Sequence, residues 1–290
     1  VDKYLAQPGA KDEVVETIQT ATDETLYFFT NKGNCFMLDV SKIPETMKLK
    51  DRGSLLTGLI AGLADHEHAV AMVCVKTDEM AKKGDFLFIT KNGQVKRTSA
   101  AEYGIRRARF AAINLKGDDE LIGMVQVDPA DKDDIILITK QGLALRFKLD
   151  TVSCTGRATA GVRGIDVGQG DEVRWFEIPK AGDMLLVISD RGFGKRMLSD
   201  DVERQGRAGK GQKLLPMNKT GETGTQLAVC LNVTGAQSVR VEQKHGHATT
   251  LNMDEVTVER RSSKGQLLIN VLLDDIVQYG ALTAETKDEK

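Results

Sequence analysis

Residues 85–93 read DFLFITKNG, an apolar run rich in Phe and Ile that ends in polar residues and a glycine. A short run of this composition, followed by turn residues, is typical of a β-strand that enters a hairpin. The chain repeats this design four more times, as TLYFFTNKG (25–33), IILITKQG (135–142), MLLVISDRG (184–192) and SVRVEQKHG (238–246). The closing glycines lie 60, 49, 50 and 54 residues apart, so the chain is an array of sequence repeats.

The repeats share an internal register. Ten residues after each turn glycine stands a large side chain, which predicts one structural position filled five times, by Ile43, Tyr103, Val152, Val202 and Val256. Eighteen to twenty residues after the glycine comes a small residue, and these are Gly53, Ala111, Gly161, Gly211 and Gly265. The last four follow an arginine by four positions, and the arginines are Arg107, Arg157, Arg207 and Arg261. The resulting segments, such as GRATAGVRG (156–164), lie between the second and last strands of a repeat.

Each repeat closes with a further apolar run, such as ELIGMVQV (120–127), and shows little helical periodicity. Four strands in a period near fifty residues predict an all-β, propeller-like array whose blades are stabilised by stacking. We expect a single domain over 1–285 and a polar tail at 286–290, with repeats near 23–78, 84–128, 133–179, 182–233 and 236–283. Residues 1–22 and 267–283 read as partial repeats that could complete one blade together. The chain begins with Val1 and no leader, which indicates a piece of a longer protein.

Charge placement is more informative than net charge. The chain has 40 Lys and Arg against 42 Asp and Glu, a formal net charge of −2, which by itself does not indicate a nucleic-acid partner. The bases recur at fixed offsets in the repeat, whereas acids gather at 118–120, 171–172, 200–201 and 274–275. A repeating array would line the bases along one rim, which is typical of a protein that binds a nucleic-acid backbone. The candidate DNA-binding residues are Lys96, Arg97, Arg106, Arg107, Arg109, Arg146, Arg157, Arg163, Lys195, Arg196, Arg204, Arg207, Lys210, Lys213, Arg260, Arg261 and Lys264.

Two further observations shape this hypothesis. The neighbouring glycines would let a phosphate approach backbone N–H groups. No aromatic residues alternate with the bases, which argues against stacking on single strands and predicts duplex binding with weak sequence preference. Two alternatives stay open: the bases could be ordinary solvated surface charges, or the array could be a protein-interaction scaffold without DNA affinity.

An enzymatic function finds little support in the residues. His66–His68 (HEH) lacks the spacing of a zinc site, no phosphate-binding loop motif is present, and no catalytic cluster recurs. The four cysteines, at positions 35, 74, 154 and 230, are far apart, which is typical of free thiols in a reducing cytoplasm. No apolar run is long enough to cross a bilayer. We therefore expect no catalytic residue, metal or cofactor in this chain.

With the repeats aligned, the chain resembles the C-terminal domain of bacterial type IIA topoisomerase A subunits. The segments that carry the resemblance are YFFTNKGNCFMLDVSKIPE (27–45), ITKNGQVKRT (89–98), INLKGDDELIGMVQV (113–127) and GRATAGVRGIDVGQGDEV (156–173). The resemblance implies a β-pinwheel, a propeller-like disc of five to six four-stranded blades that exchange strands. It also implies a monomeric cytoplasmic domain, associated with the nucleoid, that bends or wraps duplex DNA.

The resemblance places the chemistry elsewhere. Strand passage in this family uses a tyrosine nucleophile, Mg²⁺ and ATP, all held by the rest of the A subunit or by the ATPase B subunit. Gyrase A subunits also carry a Q-R-R-G-G-K-G box, where this chain reads AQPGAKDE (6–13). QGRAGKG (205–211) has a similar composition but lies in a later repeat. Together with MKLKDRGSLLTGLI (47–60), this favours a topoisomerase IV A subunit, with gyrase as the alternative.

Overall fold

The computed structural model describes residues 17–45, 53–130, 132–218 and 220–283. These residues form an almost entirely β structure. The strands are β1 (Thr25–Thr30), β2 (Asn34–Asp39), β3 (Ala69–Val75), β4 (Asp85–Thr90), β5 (Gln94–Ser99), β6 (Arg109–Ala111), β7 (Leu121–Val127), β8 (Asp134–Thr139), β9 (Leu143–Lys148), β10 (Val162–Arg163), β11 (Val173–Glu177), β12 (Met184–Ser189), β13 (Phe193–Leu198), β14 (Gln212–Lys213), β15 (Leu227–Val233), β16 (Ser238–Gln243), β17 (Ala248–Asn252), β18 (Gln266–Leu267) and β19 (Val277–Leu282).

In the described part of the chain, helical structure is limited to short segments of three to seven residues. One α-helical turn, α1, covers Leu56–Leu59. The 3₁₀ turns are Val40–Lys42, Thr77–Lys83, Ala100–Tyr103, Leu149–Thr151, Ser199–Asp201 and Met253–Glu255. Five of these six turns follow the second hairpin strand of a repeat. Each ends at, or one residue before, the large residue that stands ten residues after the turn glycine. Four of those large residues are at most 3% exposed, namely Tyr103, Val152, Val202 and Val256. The fifth, Ile43, is only partly buried and packs against a core cluster.

The predicted hairpin turns are confirmed. Each apolar run pairs antiparallel with the strand that follows it, and the closing glycine lies in the left-handed region of backbone conformation. The φ values are 76° for Gly33, 79° for Gly93, 81° for Gly142, 81° for Gly192 and 89° for Gly246. A residue with a Cβ is disfavoured in this region, which explains why the same residue type ends all five runs.

The strands form five sheets. Four have four strands, in the orders β3-β1-β2-β6, β10-β5-β4-β7, β11-β8-β9-β14 and β15-β12-β13-β18. The fifth, as far as the chain is described, has three, in the order β17-β16-β19. In each four-stranded sheet the strand beside the second hairpin strand comes from the next sequence repeat: β6, β10, β14 or β18. The strand exchange expected from the resemblance is therefore present, and it is carried by the arginine-bearing segments.

The chain forms two compact units. The first contains the described residues up to Thr90 together with Val95–Asp131 and Val152–Val162, and the second contains Lys91–Gln94, Lys132–Thr151 and the residues from Arg163 onwards. The expectation of a single domain remains a prediction. Residues 6–13, the tail at 286–290 and most of the partial repeat at 1–22 lie outside the described residues, as do residues 47–52 of the segment at 47–60.

In the first unit the core is built around Phe29. The rings of Phe86, Phe88 and Tyr103 each lie 5.6 Å from its ring, in edge-to-face or near edge-to-face arrangements. All four side chains are fully buried. Aromatic pairs with this geometry stabilise a core beyond the effect of their buried area.

In the second unit β12 is buried on both faces. Leu185 and Val187 point into one cluster with Ile136, whereas Leu186 and Ile188 point into another. Alternate residues of a strand face opposite sides of its sheet, so a strand covered on both sides must be apolar throughout. This explains the unbroken apolar run MLLVI at the start of the segment.

Candidate nucleic-acid interface

Three of the four arginine-bearing segments form loops with one common contact, at residues 155–161, 205–211 and 259–265, and we call these the exchange loops. Each begins where the chain runs beside the second hairpin strand of the preceding repeat. Backbone hydrogen bonds fix this start: Thr155 N–H donates to Arg97 O (2.9 Å), Gln205 N–H to Arg146 O (2.8 Å) and Glu259 N–H to Arg196 O (2.8 Å). The three loops are therefore positioned by the same contact in successive repeats.

One arginine in each exchange loop fastens the short strand of the preceding repeat. Nη1 donates from Arg157 to Ala111 O (2.7 Å), from Arg207 to Arg163 O (2.5 Å) and from Arg261 to Lys213 O (3.0 Å). The acceptors are the last residues of β6, β10 and β14. These guanidinium groups are partly buried, so each has a structural contact besides any contact with a ligand.

Two of the candidate lysines lie inside the protein. Lys96 is 1% exposed and Lys195 is 0% exposed. Nζ of Lys96 donates to Arg157 O (2.6 Å) and Ala112 O (3.0 Å), and Nζ of Lys195 donates to Arg260 O (2.8 Å) and Arg261 O (2.7 Å). Burial lowers the pKa of both lysines to about 8. A phosphate cannot reach these buried ammonium groups, so we correct their assignment from DNA contact to internal contact.

Three further candidates are held by contacts within the fold. Nε of Arg97 lies 2.6 Å from Asp85, Nε of Arg146 lies 2.7 Å from Asp134, and Nε of Arg196 donates to Val256 O at 2.7 Å. Each arginine stands four residues after its turn glycine, on the second hairpin strand. With most of their surface buried, these side chains are poor candidates for a phosphate contact.

Three exposed candidates have a partner within the protein. Arg204 lies 2.9 Å from Asp134, and Arg163 lies 3.5 Å from Asp166. Arg109 donates to Gly62 O at 3.1 Å and places its guanidinium 5.2 Å from the ring centre of Phe36. These contacts are at the protein surface, where an ion pair is weak and a phosphate can compete for the charge.

Six candidates are exposed, and no ion pair or side-chain hydrogen bond joins them to another residue in the described part of the chain. They are Arg106 and Arg107 in the first unit and Lys210, Lys213, Arg260 and Lys264 in the second. Lys210, Arg260 and Lys264 belong to exchange loops, and Lys213 follows one by two residues. Among the candidates, these six side chains are the positive charges most directly open to an anionic ligand.

The acidic groups have structural roles that the sequence did not reveal. Asp171 Oδ1 accepts from Gln141 N–H at 2.9 Å, and Asp275 Oδ1 accepts from His245 N–H at 3.2 Å, both at hairpin turns. Asp200 pairs with Arg146 at 2.9 Å. These three aspartates thus cap turns or hold the second hairpin strand.

The HEH segment has an internal explanation. Glu67 is buried and accepts hydrogen bonds from Thr30 (2.6 Å), Asn34 (2.7 Å) and Ala64 N–H (3.0 Å). Burial raises the pKa of this carboxyl, but the hydrogen bonds outweigh burial and the pKa is lowered. Within the described ranges no group of three or more His, Cys, Asp or Glu residues is arranged to hold a metal ion. In the same ranges no helix is long and apolar enough to cross a membrane.

Comparison with known proteins identifies the family. The sequence profile described as "DNA gyrase C-terminal domain, beta-propeller" matches residues 24–53, 84–128, 133–180 and 183–223, which is more than half of the chain. The chain belongs to this family. The DNA gyrase C-terminal domain family thus accounts for the repeats, the exchanged strands and the β-pinwheel fold expected from the sequence.

Relatives and solved structures agree with this family. The chain is 34% identical over 275 residues to the DNA gyrase A subunit of Deinococcus deserti, covering 93% of this chain and 33% of that protein. It is 30% identical over 285 residues to the DNA gyrase A subunit of Staphylococcus aureus, covering 97% of this chain and 31% of that protein. The chain spans about a third of the length of these curated relatives.

Two solved structures share the fold. A crystal structure of the C-terminal domain of DNA topoisomerase IV superposes with a TM-score of 0.80 at 25% identity, covering 90% of this chain and 79% of that one. A DNA gyrase A C-terminal domain superposes with a TM-score of 0.68 at 20% identity, covering 91% and 84%. The chain is therefore a C-terminal domain of the gyrase and topoisomerase IV type.

Proposed function

We propose that this domain binds duplex DNA through its phosphate backbone, and bends or wraps it, as part of a type IIA topoisomerase A subunit. The observation that supports the proposal most directly is the set of six exposed bases for which the described residues show no ion pair or side-chain hydrogen bond. Three of them lie in the exchange loops, which have the same backbone contact in successive repeats. Exposed positive charges spread over several loops suit an extended polyanion better than a single small anion.

The domain would act by holding DNA for the rest of the enzyme. Bending a site of 20–30 bp costs on the order of 1–6 kcal/mol, so several phosphate contacts are needed to offset it. The bent segment would be presented to the strand-passage core in the remainder of the A subunit. The tyrosine nucleophile, Mg²⁺ and ATP would be held there and in the B subunit, in the bacterial cytoplasm near the nucleoid.

Our preference between the two enzymes remains topoisomerase IV. The preference rests on the sequence AQPGAKDE (6–13), which departs from the gyrase box, and on the segment 47–60. The curated relatives named above are gyrase A subunits, whereas the structure with a TM-score of 0.80 is from topoisomerase IV. A supercoiling assay of the full enzyme distinguishes the two, because gyrase introduces negative supercoils and topoisomerase IV relaxes and decatenates.

The binding proposal is tested by a salt series. The affinity of the chain for a duplex of about 40 bp is measured by gel shift from about 50 to 200 mM salt. Each neutralised phosphate contributes about −0.9 to the slope of log K against log salt, so several contacts predict a slope of about −4 or steeper. Affinity should vary little with base sequence. A flat salt response, or no binding at low salt, would refute DNA binding and favour the protein-interaction scaffold.

A further inference from the structure

The two buried lysines occupy a position that two sister repeats fill with buried apolar residues and the fifth fills with the exposed Thr249. Lys96 and Lys195 stand three residues after their turn glycines, Gly93 and Gly192. At the same offset the first and third repeats have Phe36 and Leu145, both fully buried. The hairpin therefore folds with an apolar side chain here. Burying an ammonium group costs free energy of folding. Packing alone therefore does not explain a lysine in this position.

The contacts of Lys195 supply that explanation. Its Nζ donates to the backbone carbonyls of Arg260, Arg261 and Ser263, all in the exchange loop at 259–265. All three N–H donors of the ammonium group can thus be satisfied by one loop. The same loop carries the exposed bases Arg260 and Lys264.

The contacts of Lys96 repeat the arrangement. Its Nζ donates to Arg157 O in the exchange loop at 155–161 and to Ala112 O, next to the end of β6. Arg157 in turn donates to Ala111 O. Lys96, in the second repeat, thus holds the exchange loop of the third repeat. Arg157, in that loop, holds β6 of the second repeat.

We propose that Lys195 is a positioning residue for DNA binding: it holds the carbonyls of the exchange loop at 259–265 inward, so that Arg260 and Lys264 face outward, and it does not contact DNA. Lys96 holds the loop at 155–161 by the same kind of contact. The expected effect on DNA affinity rests on the proposed function. The contact between the lysine and the loop can be measured without DNA. The geometry points to Lys195 as the stronger case, because all of its acceptors lie in one loop.

The test compares Lys195→Met with Leu145→Met, a change to the same residue at the equivalent position of a sister repeat. Hydrogen exchange is followed in residues 259–265, and DNA affinity is followed over the salt series. We expect both variants to fold. Lys195→Met should exchange at least about tenfold faster in this loop and bind DNA about tenfold more weakly, because three carbonyls lose their donor. Leu145→Met should change neither quantity.

The salt slope separates positioning from contact. A lysine that binds a phosphate lowers the slope by about 0.9 when it is removed, whereas a positioning residue lowers affinity with the slope retained. A slope reduced by about 0.9 with unchanged exchange would overturn the inference, as would unchanged affinity with faster exchange. If the wild-type protein binds no DNA, the proposed function fails, and the exchange data still show whether Lys195 holds the loop.

A pH profile gives an independent readout. The charged groups near Lys195 are Glu259, Asp201 and Arg261, and the backbone carbonyl of Arg260 accepts one of its hydrogen bonds. Because burial lowers the pKa of Lys195 to about 8, wild-type affinity should fall as the pH rises through 8. Lys195→Met should lose the part of this fall that comes from Lys195. An identical pH profile in the variant would contradict the proposal.

Discussion

Asp134 of the third repeat forms ion pairs with Arg204 of the fourth, at 2.9 Å, and with Arg146 of its own strand pair, at 2.7 Å. The carboxylate is 2% exposed, so two cations from successive repeats meet at one buried anion. The ion pair with Arg204 connects the fourth repeat, immediately before the exchange loop at 205–211, to the sheet that contains β8.

Removing this carboxylate should destabilise the second unit. Asp134→Asn leaves Arg146 with only the half-exposed Asp200 as an ionic partner, at 2.9 Å, so the loss should cost at most about 3–5 kcal/mol, the cost of breaking a fully buried pair. Urea unfolding measures the effect. Asp166→Asn is the matched control, since Asp166 pairs with Arg163 at the surface, and its loss should cost less than about 1 kcal/mol. Equal effects of the two changes would show that Asp134 does not connect the repeats.

Glycine substitutions test the strand exchange itself. A Cβ on Gly192 would meet the carbonyl oxygen of Ile269, from the exchanged segment, at 2.1 Å, whereas a Cβ on Gly246 would meet nothing within 4 Å. Both glycines have positive φ, so each change to Ala carries a similar backbone cost of about 1–2 kcal/mol. Gly192→Ala should cost at least about 2 kcal/mol more than Gly246→Ala in urea unfolding. Similar costs would mean that no strand lies against Gly192.

Glu177 should make stability depend on pH. Burial, with the nearby charge of Asp183, raises its pKa from 4.5 to about 7. The folded protein therefore keeps a proton that the unfolded chain loses, and the stabilisation present below pH 4.5 is lost as the pH rises through 7. Glu177→Gln should remove this dependence and stabilise the protein at pH 8 by about 1–3 kcal/mol.

Thermal unfolding across this pH range measures the effect of Glu177→Gln. Asp254→Asn, at an exposed carboxyl, is the control and should leave the pH dependence as in the wild type. If Glu177→Gln behaves like the control, the carboxyl does not carry the proton in the folded protein.

Charge reversal of the exposed bases should weaken DNA binding without affecting the fold. Arg260→Glu with Lys264→Glu removes two positive charges that have no internal ion pair among the described residues, so the salt slope should fall by up to about 2 and the melting temperature should stay within about 2 °C. Arg207→Glu is the informative contrast, because Arg207 also holds Arg163 O and its loss should lower the melting temperature. Unchanged affinity in the double variant would exclude the loop at 259–265 from DNA contact.

The repeat period predicted the hairpins, the turn glycines and the position shared by the large residues that follow them, because each depends on local composition that recurs at a fixed offset. The period could not separate exposed from buried bases. Lys96 and Arg106 both count as recurring bases, yet one is enclosed and the other is exposed. A signal was available: Phe36 and Leu145 stand at the offset of Lys96 in sister repeats, and an apolar residue there indicates a buried position.

The ion pairs were also readable in part. Asp85 and Asp134 each precede by twelve residues the arginine that they bind, Arg97 and Arg146. This spacing places the two residues near each other across a hairpin. The second ion pair of Asp134, with Arg204 of the next repeat, could not be predicted. The sequence does not specify which sheet a two-residue strand joins.

The borrowed strand has a consequence for synthesis on the ribosome. During synthesis, the strand Leu143–Lys148 leaves the ribosome before Gln212–Lys213, the strand that pairs with its outer edge. The backbone groups of that edge stay unpaired in the interval. The same interval occurs for each sheet that takes a strand from the next repeat. A bare edge is a template for pairing with another chain. The growing polypeptide therefore carries an unpaired strand edge until the next repeat has been synthesised. A translational pause within a repeat prolongs this exposure and favours aggregation.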